Sequence, residues 1–334
     1  MQFAYNTTMA IDVYYVYGVS QCIIQSLTII ANLLTIIAFL KVPNLLMHTS
    51  NILIYALSVA DLFWGVYRFV WNDIPFIFSL GPPGGEIGCM ITVPLEYVYS
   101  AGNLILIVIS VDRVMFVTMD YSKYMKMVTK LRLKITIGLC FLITIVAALF
   151  EISLWNYAKR NNLVAANIDF TKNCLYPPRR MKWMSLFVSV TFYILPLLLV
   201  AIFSIVFINR LLVRISKKRR QVGIAPSVHS VTNNSNADAG ESSNANEGNK
   251  RYMKAAITLA ALVASMGICM LPYCVYLLVG AFSGRSHLNV TYVMLLILQL
   301  NPLLDPVFYA ATQKHLREFY RAKMIGLFRK CRNP

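Results

Sequence analysis

Charged residues are scarce in this sequence, and acidic residues are the scarcest of them. Only 13% of the 334 residues are charged, whereas soluble domains carry about 25%. The chain has 14 acidic and 31 basic residues, and its hydrophobic share is 58%. This shortage excludes an ordinary soluble domain and favours lipid as the solvent around most of the chain.

Three further features are missing. The apolar segments lack the alternation with period two that barrel strands show, so the spanning elements are expected to be helices. No signature of a hydrolase, a phosphate-binding loop or a metal site is found, so neither an enzyme nor a metal centre is expected. No internal repeat is visible, which makes a transporter or channel the weaker alternative.

Seven long apolar runs dominate what is present. Each is long enough to cross a bilayer as a helix, which takes about 20 residues. The runs predict spans at Val13–Leu40, Ile52–Ile74, Ile87–Met119, Leu133–Trp155, Met184–Val213, Tyr252–Phe282 and Leu288–Ala311. The predicted fold class is an all-α membrane protein, a seven-transmembrane helix bundle over 13–311.

The basic residues predict how this bundle is oriented. The side of the bundle that holds the segments after spans 1, 3, 5 and 7 carries 23 of the 31 lysines and arginines, counting those at the span ends, which places that side in the cytoplasm. Residues 1–12 are then an extracellular N-terminus with a glycosylation acceptor at Asn6. Segment 221–249, rich in Asn, Ser, Ala and Gly, is expected to be a disordered cytoplasmic loop. The same rule accounts for the positive charge, so nucleic acid is not an expected partner.

Residues 312–334 are expected to form a cytoplasmic amphipathic helix and tail. Apolar residues alternate there with basic ones, as in helices that lie on the inner membrane surface. Membrane lipid is therefore an expected partner. Cys331 follows this helix and is either a palmitoylation site or an unmodified thiol.

Ionisable residues inside spans are costly and usually functional. Asn32, Asp61, Asn301 and Asp305 fall at comparable depth and predict a hydrated polar cluster. Two neighbouring carboxylates repel, so we expect a Na⁺ ion or a retained proton between them. The alternative is static hydrogen bonding between helices. No other cofactor is expected.

A second polar group, Asp112-Arg113, stands at the inner end of span 3. We expect a local ion pair that opens when Arg113 meets a partner protein, with simple snorkelling to the interface as the alternative. In span 7, Asp305-Pro306 is expected to break the helix. Tyr309 would then project one turn below the break, where it could swing inward.

Short sequence motifs in six of the spans occur in a familiar order along the chain. They are Asn32 in ANLL, Asp61 in LSVADLF, Cys89 and SVDRVMFVT in span 3, Pro196, CMLPY in span 6 and NPLLDPVFY in span 7. The pattern resembles the rhodopsin-like G-protein-coupled receptors. LEYVYS, TFYILP and the span 6 segment are similar to the biogenic-amine branch, especially the muscarinic acetylcholine receptors. The resemblance implies a plasma-membrane receptor that couples an extracellular ligand to a heterotrimeric G protein.

The resemblance also implies a ligand site and a disulfide bond. Glu96 lies seven residues after Cys89, where amine receptors carry the acid that pairs with the ligand ammonium, although counting back from Arg113 selects Leu95. The implied ligand set is Glu96, Tyr97, Tyr99, Ser100, Met270, Tyr273, Tyr276 and Gln299. Glu96 could instead pair with a loop residue such as Arg179, which would suit a peptide or another non-amine ligand. The resemblance pairs Cys89 with Cys174.

Several positions depart from the family pattern. The usual Asp-Arg-Tyr reads Asp112-Arg113-Val114, and Met270 replaces the span 6 tryptophan. No acid stands at the inner foot of span 6, so a lock on Arg113 from that point is missing and basal activity is expected to be high. No lysine lies between Arg285 and Ala311, which excludes a retinal Schiff base.

Overall fold

The computed structural model describes residues 7–43, 45–47, 49–78, 88, 97–161, 187, 190–223, 238–283 and 288–332. Within these ranges the chain is helical and no strand occurs. Most segments are long and apolar, so the backbone polar groups can be satisfied only within each helix once water is excluded. The predicted all-α fold is confirmed.

Long helices make up most of the described chain. The helices are Thr7–Lys41, Thr49–Arg68, Ile74–Ile77, Tyr97–Thr118, Tyr121–Met127, Lys130–Arg160, Leu195–Gly223, Asp238–Ser283, Leu288–Gln299, Asn301–Thr312 and Lys314–Arg332. A short 3₁₀ turn occupies Leu45–Met47. π-Helical turns occupy Phe69–Asp73, within span 2, and Val190–Ile194, at the start of span 5.

Seven of these segments are long and apolar enough to cross a membrane. Spans 1 to 7 are Tyr15–Lys41, Thr49–Asp73, Tyr99–Thr118, Lys130–Leu154, Val190–Ser216, Ile257–Gly280 and Val290–Thr312. The predicted number of spans is confirmed. The end of the bundle at which span 1 finishes is called the inner end below, following the predicted orientation.

Apolar side chains on the outside of the bundle suit a lipid environment. Ile23, Leu27 and Ile30 on span 1 are half exposed, as are Leu142 and Val146 on span 4. In water such a surface would be unfavourable, whereas in hydrocarbon it costs nothing. By contrast, five polar side chains of span 1 are buried: Gln21, Gln25, Thr28, Asn32 and Thr35.

Spans 1 and 2 approach each other closely at Gly65. A Cβ atom at this position would lie 3.1 Å from Cγ1 of Ile29 and 3.4 Å from Cγ2 of Thr28. Small residues allow this spacing between membrane helices. The close approach brings the polar face of span 1 against span 2.

Span 7 breaks at a different residue from the one predicted. Asp305-Pro306 was expected to break the helix, but Pro306 lies inside the helix Asn301–Thr312 and the interruption falls at Leu300. Pro302 is accommodated in the first turn of the new helix, where its missing N–H matters little. Pro306 has no N–H to offer the carbonyl of Pro302, and that carbonyl accepts a hydrogen bond from Nδ2 of Asn32 at 3.1 Å.

The predicted cytoplasmic segments differ in detail from the structure. Helical backbone continues to Gly223 and resumes at Asp238, so it enters the predicted loop 221–249 from both sides, while 224–237 lie outside the described residues. A formed helix extends at little further cost. The predicted short helix after span 7 is confirmed as Lys314–Arg332, and Leu316 in it is fully buried.

Candidate functional site

The middle of the bundle holds a buried cluster of polar side chains from spans 1, 2 and 7. Asn32, Asp61, Asn301 and Asp305 are each at most 4% exposed. The carboxyl groups of Asp61 and Asp305 lie within hydrogen-bonding reach of each other. Two carboxylates can bond in this way only through a proton on one of them or a cation between them.

Several oxygen atoms of this middle cluster receive no hydrogen bond from a described residue. They are Asn32 Oδ1, Asp61 Oδ2, Asn301 Oδ1 and both carboxyl oxygens of Asp305. Buried acceptors in folded proteins are normally satisfied, so this set calls for water, a proton or a cation. Carboxylate and amide oxygens are ligands that hard cations accept, and the donor set therefore fits a small monovalent cation. Within the described ranges no His, Cys, Asp and Glu cluster suited to a transition metal occurs.

The inner end of span 3 holds a second cluster, which we call the inner latch: Ser50, Asp112, Arg113 and Tyr124. The Tyr124 hydroxyl donates to Oδ1 of Asp112 at 2.8 Å. The Ser50 hydroxyl donates to Oδ2 of Asp112 at 3.4 Å. Nη1 of Arg113 donates to the oxygen of Ser50 at 3.0 Å. The latch therefore links span 2, span 3 and the loop helix Tyr121–Met127.

The prediction of an ion pair between Asp112 and Arg113 is wrong. Both residues lie in the described part of the chain, and no ion pair joins them there; Ser50 bridges them instead. Adjacent residues on a helix point in different directions, so their side chains do not face each other. Asp112 is buried and Arg113 is half-buried, consistent with that divergence.

Tyr124 is a latch residue that the sequence analysis missed. It is 4% exposed, its ring packs edge-on against Phe116 at 5.2 Å, and its hydroxyl lies 3.4 Å from Oγ1 of Thr49. Burial raises the pKa of Tyr124 to about 12, and the neighbouring Asp112 charge adds to the rise. The hydroxyl therefore remains a donor at neutral pH. No sequence signal marks Tyr124, because its partner belongs to another element.

A cavity lies beside the latch, between the inner ends of spans 3 and 5. Its volume is about 320 Å³, and it is lined by Val117, Thr118, Arg210, Val213 and Arg214. Nη1 of Arg214 donates to the carbonyl of Val117 at 3.1 Å. This contact satisfies one of the last carbonyls of the span 3 helix, which have no partner within the helix itself.

The outer half of the bundle contains a row of aromatic rings, which we call the aromatic wall: Trp64, Tyr99, Tyr193 and Tyr273. The Trp64 and Tyr99 ring centroids are 4.9 Å apart, those of Tyr99 and Tyr193 6.4 Å, and those of Tyr193 and Tyr273 5.8 Å. The Tyr99 hydroxyl and the Trp64 indole N–H donate to no described residue. The wall joins spans 2, 3, 5 and 6.

The other predicted ligand residues that the structure describes do not form a single cluster with the aromatic wall. Tyr97 packs edge-on against Phe192 at 4.9 Å, and Ser100 and Met270 are buried. The Tyr276 hydroxyl and Oγ1 of Thr291 are 2.6 Å apart and connect spans 6 and 7. Gln299 instead faces span 1, where its Oε1 accepts from Nε2 of Gln25 at 2.8 Å.

Arg68 and Asp73 in the outer half of span 2 were also missed by the sequence analysis. Both are buried, at 8% and 2% exposure. The Arg68 guanidinium lies 5.6 Å from the Trp64 ring, and its Nη2 donates to Oε1 of Gln21 at 3.1 Å. The sequence could have pointed to both residues, because they lie inside the predicted span Ile52–Ile74 and ionisable residues are rare in spans.

Several predicted residues lie outside the described part of the chain. They are Asn6, Cys89, Glu96 and Cys174. Cys331 lies in the helix Lys314–Arg332, but its side chain is outside the description. Their predicted roles stay predictions. Cys22, Cys140, Cys269 and Cys274, which are described, are free thiols.

Comparisons with known proteins agree with this arrangement of seven spans. A family model described as "7 transmembrane receptor (rhodopsin family)" matches residues 31–309. The chain is 24% identical to the adenosine receptor A3 of Ovis aries, over 87% of this chain and 84% of that protein. It is 23% identical to the adenosine receptor A3 of Canis lupus familiaris, over 95% and 93%. It is 27% identical to the histamine H2 receptor of Homo sapiens, over 83% and 70%.

Proposed function

This chain belongs to the rhodopsin family of 7 transmembrane receptors, and from that membership we propose that its ligand is a small extracellular cation of the amine type. Family membership makes it a multi-pass plasma-membrane receptor of the G-protein-coupled class and not an enzyme. In the proposal the ligand binds in the outer half of the bundle, and a heterotrimeric G protein is engaged at the inner end.

The distribution of charge supports the proposed orientation. With the N-terminus outside, 23 of the 31 basic residues fall on the cytoplasmic side. The cavity beside the inner latch is then cytoplasmic, and it is rimmed by Arg210 and Arg214. A basic cavity next to Arg113 suits an acidic or carboxylate-ended segment of a partner protein.

The aromatic wall is the observation that carries the ligand proposal. Aromatic faces attract cations by about 0.5–2 kcal/mol, and more when water is excluded. The Tyr99 hydroxyl and the Trp64 N–H lie in this wall and donate to no described residue, so they can meet acceptor groups of a ligand. In the sequence, Glu96 directly precedes Tyr97, the first residue of the span 3 helix, and would supply the countercharge.

The names of the relatives divide between two kinds of ligand. Histamine is an amine, and its H2 receptor is the relative with 27% identity. Adenosine is uncharged, and its A3 receptor matches at 23–24% identity. The first supports the amine proposal and the second favours an uncharged ligand.

An uncharged polar ligand is therefore the second candidate, and one feature of the structure favours it. Arg68, Gln21 and Asp73 place buried donors and acceptors in the outer half of spans 1 and 2. A ligand rich in hydrogen-bonding groups would gain specificity from such an arrangement without carrying a charge.

Signalling would follow from a shift between two states of the bundle. A ligand changes that equilibrium only by the difference between its affinities for the two states. In the resting state the inner latch holds Arg113 toward span 2 through Ser50. We place a Na⁺ ion on the oxygens of Asn32, Asp61, Asn301 and Asp305, where it would stabilise the resting packing of spans 1, 2 and 7.

The test is Glu96→Gln, with Glu86→Gln, in the loop predicted just before span 3, as the matched control. Cells that express each variant are exposed to histamine, acetylcholine and adenosine, and second messengers are recorded. We expect Glu96→Gln to raise the half-maximal concentration of the active amine at least about tenfold, or about 1.4 kcal/mol. The control should leave it unchanged. A response to adenosine alone, unaffected by Glu96→Gln, would select the second candidate and reject the first.

A further inference from the structure

A polar side chain of span 3 bonds to the backbone of span 5. Asn103 lies in the outer half of the helix Tyr97–Thr118 and is 1% exposed. Its Nδ2 donates to the carbonyl of Phe192 at 3.1 Å. Burying an amide among apolar spans is costly unless its hydrogen bonds are made, and Asn side chains can make such bonds between helices. Spans 3 and 5 are therefore joined at a defined point.

The carbonyl that Asn103 contacts has lost its usual helical partner. In an α-helix the carbonyl of Phe192 would accept from the backbone N–H of the residue four positions later. That residue is Pro196, which has no N–H. The side-chain amide of Asn103 supplies a donor in its place from the neighbouring span.

The same arrangement occurs at a proline of span 7. Pro306 lacks the N–H that the carbonyl of Pro302 would accept, and Nδ2 of Asn32 donates to that carbonyl at 3.1 Å. In both places an asparagine of one span completes the backbone of a neighbour that contains a proline. The repetition indicates that the bond of Asn103 replaces a particular helical bond and is not an incidental contact.

Two aromatic rings depend on the turn that contains this carbonyl. Phe192 and Tyr193 follow each other in the π-helical turn Val190–Ile194. A π-turn holds more residues than an α-turn, so the residues on its outer side are rotated by up to about 100° relative to a regular helix. In the structure the Phe192 ring packs against Tyr97 at 4.9 Å, and the Tyr193 ring lies in the aromatic wall. The directions of both rings are therefore set by this turn.

We propose that Asn103 is a positioning residue of the ligand site, which holds the π-turn of span 5 and thereby keeps Tyr193 in the aromatic wall. Without the amide donor, the carbonyl of Phe192 would be buried and unsatisfied, and the turn would rearrange to reach another donor. Tyr193 lies between Tyr99 and Tyr273 in the wall, so its displacement would interrupt the row of rings. The proposal rests on the proposed function in one respect, namely that this wall meets the ligand.

The test is fluorine NMR of the full-length receptor in detergent, with 3-fluorotyrosine incorporated at Tyr193. Asn103→Leu keeps the approximate side-chain volume and removes the donor. Ser110→Ala is the matched control, because the buried Ser110 hydroxyl donates to the carbonyl of Leu106 within its own helix. We expect the Tyr193 resonance to move by more than its linewidth in Asn103→Leu and to stay in place in Ser110→Ala. A bond that served stability alone would lower the thermal midpoint of Asn103→Leu without moving this resonance, and that result would overturn the proposal.

A second background isolates the role of the carbonyl. Pro196→Ala restores the backbone N–H that the carbonyl of Phe192 lacks, so the turn no longer depends on Asn103. In this background Asn103→Leu should move the Tyr193 resonance no further. If Asn103→Leu alone does not fold, the double variant Asn103→Leu/Pro196→Ala should. An equal displacement in both backgrounds, or an equal loss of folded receptor in both, would contradict the proposed role.

Binding of tritiated histamine to the same variants tests the consequence for the ligand site. Asn103→Leu should raise the Kd about 2- to 30-fold, the range that attraction of a cation to one aromatic ring spans, and Ser110→Ala should leave it unchanged. A displaced Tyr193 with an unchanged Kd would remove Asn103 from the ligand site. If the original protein binds no histamine, the amine proposal fails, and the fluorine signal still decides whether Asn103 positions Tyr193.

Discussion

The middle cluster and the inner latch each place acidic side chains in the interior of the bundle, but they satisfy them in different ways. In the inner latch, Asp112 accepts from Tyr124 and Ser50, and Arg113 is bonded to Ser50. In the middle cluster, Asp61 and Asp305 face each other, and Oδ2 of Asp61 and both carboxyl oxygens of Asp305 accept nothing from a described residue. The first arrangement is complete within the protein, whereas the second calls for a proton, water or an ion.

This difference suggests distinct roles for the two regions. A satisfied hydrogen-bond network holds one geometry and resists rearrangement. A buried pair of carboxyl groups with unsatisfied oxygens responds to whatever binds it, because the bound proton, water or ion stabilises the packing of the helices around it. We expect the inner latch to set the resting state and the middle cluster to tune it.

Removing the acid of the inner latch should have the largest effect. Asp112→Ala deletes the acceptor of two hydrogen bonds, and bonds to a charged group contribute about 1.5–3 kcal/mol each. We expect ligand-independent nucleotide exchange to rise roughly 30- to 100-fold, measured on purified receptor with a G protein. Asp120→Ala is the control, because this exposed acid makes no side-chain capping bond at the loop helix. An equal rise in both variants would remove the distinction between latch and surface.

Tyr124→Phe should have a smaller effect in the same assay. It removes one hydrogen bond to a carboxylate, about 1.5 kcal/mol, so exchange should rise about tenfold. Tyr121→Phe on the same loop helix is the control, since Tyr121 is 72% exposed.

The effect of Tyr124→Phe should not depend on pH between about pH 6 and about pH 9. The pKa of Tyr124 is raised to about 12, so the hydroxyl bond is fully present below the ordinary pKa of tyrosine. It is lost only as the pH rises through the folded value. A strong pH dependence within the lower range would point to another group.

The middle cluster should give the smallest effect, and one that depends on salt. Replacing choline with Na⁺ should raise the thermal midpoint of the original protein by roughly 2 °C, which corresponds to about 1 kcal/mol. Asp305→Asn should abolish that rise, because it removes one of the two carboxylates that would hold the ion. A rise of the same size in Asp305→Asn would assign the salt effect to another part of the receptor.

The sequence predicted the spans well because each is a long apolar run, and in lipid such a run can satisfy its backbone polar groups only as a helix. It predicted the middle cluster by depth alone, since Asp61 and Asp305 stand in facing spans. It did not predict where span 7 breaks, because Pro302 and Pro306 are both compatible with a helix once Asn32 takes the carbonyl of Pro302.

The contacts of the inner latch were harder to predict from the sequence than the break in span 7. Asp112-Arg113 was expected to pair because the two are neighbours in the chain, yet neighbours on a helix diverge. Their actual partners, Ser50 and Tyr124, lie 62 and 12 residues away from Asp112. Contacts of this kind depend on how elements pack, and no local pattern encodes them.

The most direct test of this account is a double-mutant cycle of Asp112→Ala and Tyr124→Phe, read as ligand-independent nucleotide exchange. If the two side chains act through the bond that joins them, the double variant should exceed Asp112→Ala alone by less than about twofold, a coupling of roughly 1 kcal/mol or more. Effects that multiply fully would show that Asp112 and Tyr124 act independently and would contradict the latch.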